Sequence, residues 1–554
     1  MTFSYSRQNL DPKASWLERL LEIVPASLSW TLLCSLTLLC IFAPVVGVVT
    51  VILFDLYWLF RLIYFTIFLV LSYTLLRVER PVKWRDRLED LADLENAISR
   101  VRKQTRESRI PWKVLYSERR HLATLERVKR SSIPFPHPKE IYHLIIIPFY
   151  QEGLSVLGPT LEALSQVNYR RERMVVVLGV EGRAGKEALE RAHILRERYG
   201  KHFLHFEVCV HPEDVPGEAA VKGANSTHAA RWAKKFFESR RIPFDHIVVS
   251  CFDSDTVVSP EYFGCLTYNY LVHPKRTRTS FQPIPVYHNN LWEAPPFARV
   301  LETGSSFLQL IEVTDPEHLV TFSSHSMSFQ ALVEVGFWPV DLVSDDSAIF
   351  WKAFLVYNGD YRVEPLYVTL SMDVAVGDNL WETCQSIYRQ KRRWAWGVEN
   401  FPILVRGLLA KPKIPLWLKI KRVCRLLEMN VIWAIWTPIM LILSWAPALV
   451  PNREFESSVA YFNAPRVAGV IANIAIASLM ISIVLSFFLL PKRPKKVPFY
   501  QKFAFALQWL LVPVIATVFG AIPALDAQTR LALGQYMEFF VAPKGKMKRE
   551  RVSP

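Results

Sequence analysis

The chain has 554 residues, 51% of them hydrophobic, with a formal net charge of +15, a combination unusual for a wholly soluble protein and expected of one partly embedded in lipid. Charge of that sign suits nucleic acid, an anionic membrane face or a phosphorylated substrate, and nucleic acid is set aside because no arginine-aromatic repeat or zinc-ligand spacing accompanies it. The seven cysteines are odd in number and lack Cys-x-x-Cys spacing, which argues against a disulfide framework or a zinc site and for a reducing compartment.

In chain order, residues 1–26 read as a cytoplasmic N-terminus and 27–77 as a transmembrane helical hairpin. Its spans are roughly 27–50 and 51–76, with the turn near Pro44 to Gly47. The apolar run is too long for a cleavable signal peptide. Lys13 and Arg19 before it and Arg77, Arg80, Lys83, Arg85 and Arg87 after it put both ends in the cytoplasm by the positive-inside rule. Asp55 and Arg61 interrupt the second span and are expected to pair near the interface or to serve function. Residues 78–139 read as a cytoplasmic helical linker, with Leu88, Leu91, Leu94 and Ile98 at helical spacing.

A soluble domain over 140–412 follows, alternating in the α/β manner. Strands are expected at Leu144–Ile147, Met174–Leu178, Phe203–Val210, Ile247–Phe252, Thr279–Gln282 and Tyr361–Leu370, with helices at Lys186–Tyr199 and Ser226–Ser239. A three-layer α/β/α sheet is the economical assembly. Residues 413–426 mix Trp417, Leu418 and Ile420 with Lys419, Lys421, Arg422 and Arg425, the pattern of an amphipathic helix in the headgroup plane. Residues 427–525 hold three uncharged runs, Met429–Asn452, Val467–Pro491 and Phe503–Leu525, and 526–554 form a basic tail. The connector with Glu454 and Glu456 reads as external, and Lys492, Arg493, Lys495 and Lys496 read as cytoplasmic. The tail's Lys544, Lys546, Lys548, Arg549 and Arg551 also demand the cytoplasm, which a single intervening span does not allow; Phe503–Leu525, with Pro513 and Pro523, is therefore read as re-entrant.

The chemistry gathers where apolar runs stop. The run from His246 ends at Asp253-Ser-Asp255, two carboxylates at the C-terminal end of a buried strand, where an open α/β sheet keeps its ligands. Pro148-Phe-Tyr150-Gln-Glu152 and Glu181-Gly-Arg183 end the first two strands and fall on the same sheet edge. Lys222-Gly223-Ala-Asn225 precedes a helix, where a lysine and free N–H groups suit a diphosphate, although the stretch also reads as an ordinary turn.

With Ser344-Asp345-Asp346 and Gln390-x-x-Arg393-Trp394 following in that order between membrane-length runs, the chain resembles the family 2 glycosyltransferases. Its layout is similar to the membrane-embedded inverting synthases of cellulose, hyaluronan and chitin and their bacterial relatives. The resemblance implies a GT-A type domain between N- and C-terminal transmembrane helices in the cell membrane, with the catalytic domain in the cytoplasm. It implies transfer of a sugar from a nucleotide-sugar donor, UDP-linked by expectation, to a growing glycan or a lipid-linked acceptor, with Mg²⁺ or Mn²⁺ as cofactor. By the same resemblance Asp346 is the catalytic base, and Asp255 with Asp253 holds the metal. Pro148, Tyr150, Glu152, Glu181, Lys222, Asp253, Gln390 and Arg393 bind the donor; Asp345, Trp394 and His325 serve the acceptor, although from the residues alone His325 reads rather as a satisfied core histidine. Two departures stand out: Glu181-Gly-Arg183 replaces an aspartate-bearing turn, and Phe322-Ser-Ser-His325-Ser-Met327 replaces a glycine-bearing acceptor stretch.

Two other classes share some of these features. A haloacid-dehalogenase-type phosphatase also uses Asp-x-Asp after an apolar strand, with Asp253 as nucleophile, but opens its fold with that motif and leaves Gln390 to Trp394 unexplained. An inactive membrane scaffold is disfavoured by the acidic residues standing at every required position.

Overall fold

The computed structural model describes residues 3–8, 10–106, 110–131, 133–441, 453–491 and 505–544. The chain divides into two compact units, Leu71–Asn289 with Leu308–Asp373, and Met1–Val70 with Asn290–Phe307 and Val374–Pro554.

The first unit is built on one mixed sheet. Its strands are β1 (Tyr142–Phe149), β2 (Met174–Glu181), β3 (His205–His211), β4 (Ile247–Cys251), β5 (Val257–Val258), β6 (Thr279–Val286), β7 (Ser326–Ser328) and β8 (Arg362–Ser371), in the order β3-β2-β1-β4-β7-β6-β8-β5. β3, β2, β1 and β4 run parallel, β7 lies antiparallel between β4 and β6, and β8 is parallel to β6. All eight residues of β2 are buried. Successive side chains point to opposite faces, so both faces of the sheet are covered and the domain has three layers. The helix Lys186–Tyr199 forms where expected, and the second begins earlier, at Lys222, and runs to Ser239. β5 and β7 were not anticipated: two and three residues are too short to show a period, and Ser326-Met-Ser328 lacks an apolar run. Ser326 is satisfied inside the sheet, Ser250 Oγ lying 2.7 Å and Tyr262 Oη 3.0 Å from its Oγ.

Pro148 sits within β1 yet costs no ladder bond. Pairing with β4 ends at Ile146 opposite Cys251, so beyond that point β1 has a neighbour on one side only. That early end releases the chain after Cys251 to turn over the sheet edge.

The stretch read as a linker packs onto this unit. Its helices are Trp84–Ala92, Leu94–Gln104 and Trp112–Ser131, split at Asp93, whose side chain caps the second by accepting from Asn96 N. Trp84 N donates to Glu261 Oε2 at 3.0 Å, and Gly264 lets Trp84 close in, since a Cβ there would lie 2.8 Å from that of Trp84. Buried Glu79 accepts from Arg87 and Arg120, the burial of charge being met by opposite charge.

The second unit holds the apolar helices, Pro44–Glu79 as far as Val70. Five helical segments are long and apolar enough to cross a membrane: Pro12–Phe42, Pro44–Glu79, Leu416–Leu441, Val459–Leu489 and Phe505–Ala532. The first two meet at Ala43, earlier than the expected turn, and Gly47 approaches Cys40 so closely that a Cβ would lie 2.7 Å from the Cys40 Cα. Arg61 does not pair with Asp55; its Nη1 donates to Glu428 Oε1 at 2.8 Å and to Tyr57 Oη at 3.0 Å. No boundary falls at 426, because Leu416–Leu441 is one helix that carries the basic-aromatic stretch at its start. The segment read as re-entrant extends to Ala532 and changes pitch, with a π turn at Thr517–Ala521 between its two prolines' helical turns. The connector residues Lys492, Arg493, Lys495 and Lys496, the side chain of Glu454, the end of the Met429–Asn452 run and the tail residues Lys546, Lys548, Arg549 and Arg551 lie outside the described residues.

Candidate active site

The carboxyl edge of β1, β2, β3 and β4 carries the expected polar residues, and each is held by its neighbours. After β4, Phe252 N donates to Ile146 O at 2.9 Å, and the chain then turns, with Thr256 N donating to Asp253 O at 3.0 Å. Thr160 Oγ1 donates to Ser254 O at 2.8 Å, and Ser254 Oγ donates to Glu152 Oε1 at 2.9 Å, while Tyr150 N donates to the other oxygen of Glu152 at 2.7 Å. Glu152 thus ties the end of β1 to the Asp-Ser-Asp turn.

Lys222 is the centre of the site. Its Nζ lies 2.7 Å from Asp253 Oδ1 and 3.0 and 3.2 Å from the two oxygens of Asp346, so one ammonium joins acids from the turn after β4 and from the helix Asp345–Val356. Burial pulls the Lys222 ammonium towards neutrality, but Asp253 and then Asp346 more than offset it, and its pKa stands well above the ordinary lysine value. Asp346 occupies the first turn of its helix, where the macrodipole favours an acid, and its carbonyl accepts from Thr321 Oγ1 at 2.6 Å. Gly223 follows Lys222 because nothing larger fits: a Cβ there would stand 2.3 Å from Pro339 O and 3.0 Å from Asp345 Cβ.

Asp255 is 2% exposed, its Oδ2 accepts from Asp373 N at 2.9 Å, and its carbonyl accepts from Asn289 Nδ2 at 2.9 Å. The loop before β7 supplies contacts that the sequence did not announce. Ser323 Oγ donates to Asp253 Oδ2, and Asp253 N donates to Ser324 Oγ at 3.2 Å. Ser324 has φ +60, the left-handed region, which turns its hydroxyl back under Asp253. The only sequence signal for this was the serine pair standing where a glycine was expected.

Four assignments change in character. Pro148 is buried within β1 and Asp345 is 2% exposed, so the first shapes the strand end and the second lies beneath the surface. His325 is fully buried; its Nδ1 bonds Phe322 O at 3.1 Å and lies 3.7 Å from Asp346 Oδ1, so it faces the catalytic candidate and not an acceptor surface. Burial keeps its pKa below the usual histidine value, with Asp346 opposing. Glu181 is 7% exposed, held by His211 Nδ1 and Arg183 Nε, each at 3.4 Å. Arg183 in turn lies over the Tyr150 ring at 5.1 Å, joining the ends of β1 and β2.

Gln390, Arg393 and Trp394 belong to the other unit, on the helix Leu380–Ala395 capped by Asn379. Gln390 is 9% exposed, the Arg393 guanidinium lies 4.7 Å from the Phe539 ring centroid, and Lys391 Nζ lies 3.6 Å from that of Trp394. Within this unit the segment after Gly534 runs along the motif helix, with Arg389 over Phe540 and Val376 N donating to Pro543 O, an arrangement the aromatic pair in a basic tail did not reveal.

Residues 248–491 match the family model described as glycosyl transferase family group 2. In sequence, no curated protein matches the chain. Among solved structures, similar ones include a mannosyltransferase from Pyrobaculum calidifontis in complex with GDP-mannose and Mn²⁺ (14% identity, 71% of this chain and 94% of that one, TM-score 0.35). TarS 1–349 from S. aureus in complex with UDP shows 11% identity over 75% of this chain and 98% of that one, with a TM-score of 0.35. The matched segment contains Asp253, Asp255, Asp345 and Asp346 in the unit built on the sheet, and the Gln390 to Trp394 motif in the helical unit. Over residues 248–491, under half of its length, the chain is thus similar to glycosyl transferase family group 2.

Proposed function

We propose that this enzyme moves a sugar, with inversion, from a nucleoside-diphosphate donor, UDP-linked by expectation, to a growing glycan at the cytoplasmic face of a membrane. The observation that carries the reading is the bridge from Lys222 to both Asp253 and Asp346, which joins a diphosphate-binding cation to a carboxylate suited to proton abstraction. Inversion by single displacement needs a base beside the acceptor hydroxyl, and Asp346 fills that role. Lys222 balances the charge of the departing diphosphate, while Glu152 and Ser323 hold the Asp253 turn in place. His325, behind Asp346, acts by positioning it.

A divalent cation fits the donor set. Asp253 and Asp255 offer carboxylate oxygen, and no group of three or more His, Cys, Asp or Glu in ligating arrangement occurs among the described residues. Mg²⁺ and Mn²⁺ accept such oxygen ligands, and Mg²⁺ is commonly bound by one or two carboxylates with the substrate's own phosphates completing the shell. When bound, it supplies neutralising charge to the leaving diphosphate.

Gln390 and Arg393 are assigned to the donor pyrophosphate and Trp394 to the acceptor sugar, on the family motif. The five apolar helices support residence in the cell membrane, with lipid as the surrounding partner. A single addition to a lipid-linked acceptor is the competing reaction. Membranes carrying the protein, given radiolabelled UDP- and GDP-sugars with Mg²⁺ or Mn²⁺, should release nucleoside diphosphate and yield a ladder of product lengths. A single labelled lipid species would favour the competitor, and a trapped acyl phosphate would refute transfer.

A further inference from the structure

Inside the helical unit lies an ion pair that no step above uses. Glu302 is 1% exposed, on the part of the helix Pro296–Glu312 that belongs to this unit, and Lys391 is 3% exposed, between Gln390 and Arg393. Lys391 Nζ lies 2.8 Å from Glu302 Oε1, donates to Glu302 Oε2 at 2.9 Å and to Ser305 Oγ at 3.1 Å, and stands 3.6 Å from the Trp394 ring centroid. Glu302 and Ser305 are three residues apart on one helix, as Lys391 and Trp394 are on the other, so each pair shares a helix face. The ammonium is surrounded by a carboxylate, a hydroxyl and the electron-rich face of an indole, and its direction is fixed by all three.

A buried ion pair adds little stability over an apolar pair of the same volume, so stability does not account for its place inside the motif. We infer that Glu302, acting through Lys391, is a positioning residue that fixes the plane of the Trp394 indole on which the acceptor sugar stacks. The inference rests on the assignment of Trp394 to the acceptor. A stacking face acts only in one orientation, and an ammonium fixed by Glu302 and Ser305 against the ring helps to set that orientation.

The test uses full-length protein in detergent, with whichever of UDP-glucose, UDP-N-acetylglucosamine and GDP-mannose the wild type consumes and the matching free monosaccharide as acceptor. Glu302→Gln should raise the KM for the monosaccharide about tenfold with the donor KM held within about threefold. Lys391→Arg with Glu302 intact, which keeps a cation able to pair and to stack, should hold the acceptor KM close to the wild type. Where Glu302→Gln fails to fold, the joint replacement Glu302→Met with Lys391→Met supplies an apolar pair, and it should fold while showing the same rise in acceptor KM. Unchanged acceptor KM in the folded joint variant, or equal losses for donor and acceptor, would overturn the inference alone. A wild type that releases no nucleoside diphosphate from any donor would overturn the transferase reading and this inference with it.

Discussion

Lys222 Nζ reaches both carboxylate oxygens of Asp346, at 3.0 and 3.2 Å, although 124 positions separate the two residues in the chain. The contact places a cation beside the candidate base and, through the same ammonium, beside Asp253. Removing the cation should therefore disturb donor and base together. Lys222→Met is expected to lower nucleoside-diphosphate release by at least about a hundredfold, the scale seen when a preorganised charge-stabilising donor is lost. Radiometric turnover against donor concentration checks this, and Lys222→Arg should recover only part of it, because a guanidinium cannot take the place of a compact ammonium between two acids.

Asp255 is best tested with asparagine. Alanine would remove the acceptor of the part-buried Asp373 N–H and cost about 1 kcal/mol through lost hydrogen bonding alone, whereas asparagine retains an acceptor for it. Asp255→Asn should keep the unfolding temperature near that of the wild type while raising the divalent-ion concentration for half-maximal turnover at least about tenfold. Titration of Mg²⁺ and Mn²⁺ at fixed donor measures it.

Gly223→Ala should act on the site from behind. The new methyl cannot coexist with Pro339 O at 2.3 Å, so the segment leading to Asp345 and Asp346 must move. Overpacking of this kind costs about 1–3 kcal/mol. Thermal unfolding and turnover should fall together, in contrast to Lys222→Met, where turnover falls and the fold persists.

His211 gives a pH signature in stability. Its hydrogen bond to Glu181 raises its pKa above the ordinary value near 6.5, burial opposes this, and Glu218 adds to the rise. A group whose folded pKa is raised stabilises fully below its unfolded value and loses that contribution as pH climbs through the folded value. Unfolding temperature should decline as pH rises above about 6.5, and His211→Gln should flatten that decline.

Much of this arrangement is legible in the sequence where local pattern and burial coincide. The valine run of β2 and the helix Lys186–Tyr199 form where expected, since a strand buried on both faces and a charged amphipathic helix declare themselves locally. The acids at the end of β4 were readable because apolar runs stop there. What escaped is what depends on distant chain segments: the reach of Lys222 to two acids, the Ser323 and Ser324 contacts, and the pairing of Glu302 with Lys391. The burial of Asp345 escaped for a related reason, whereas a buried His325 was one of the two readings the sequence offered. A polar side chain has the same letter whether it faces a substrate or lies under the sheet edge, and only packing tells the two apart.

Asp346→Asn tests the central claim most directly, with turnover and nucleotide-sugar binding measured on the same preparation. An amide keeps the shape and a hydrogen-bonding oxygen but cannot accept the acceptor's proton. The account predicts that transfer falls by at least about a hundredfold while donor affinity stays within about threefold. Turnover at the wild-type rate would contradict it.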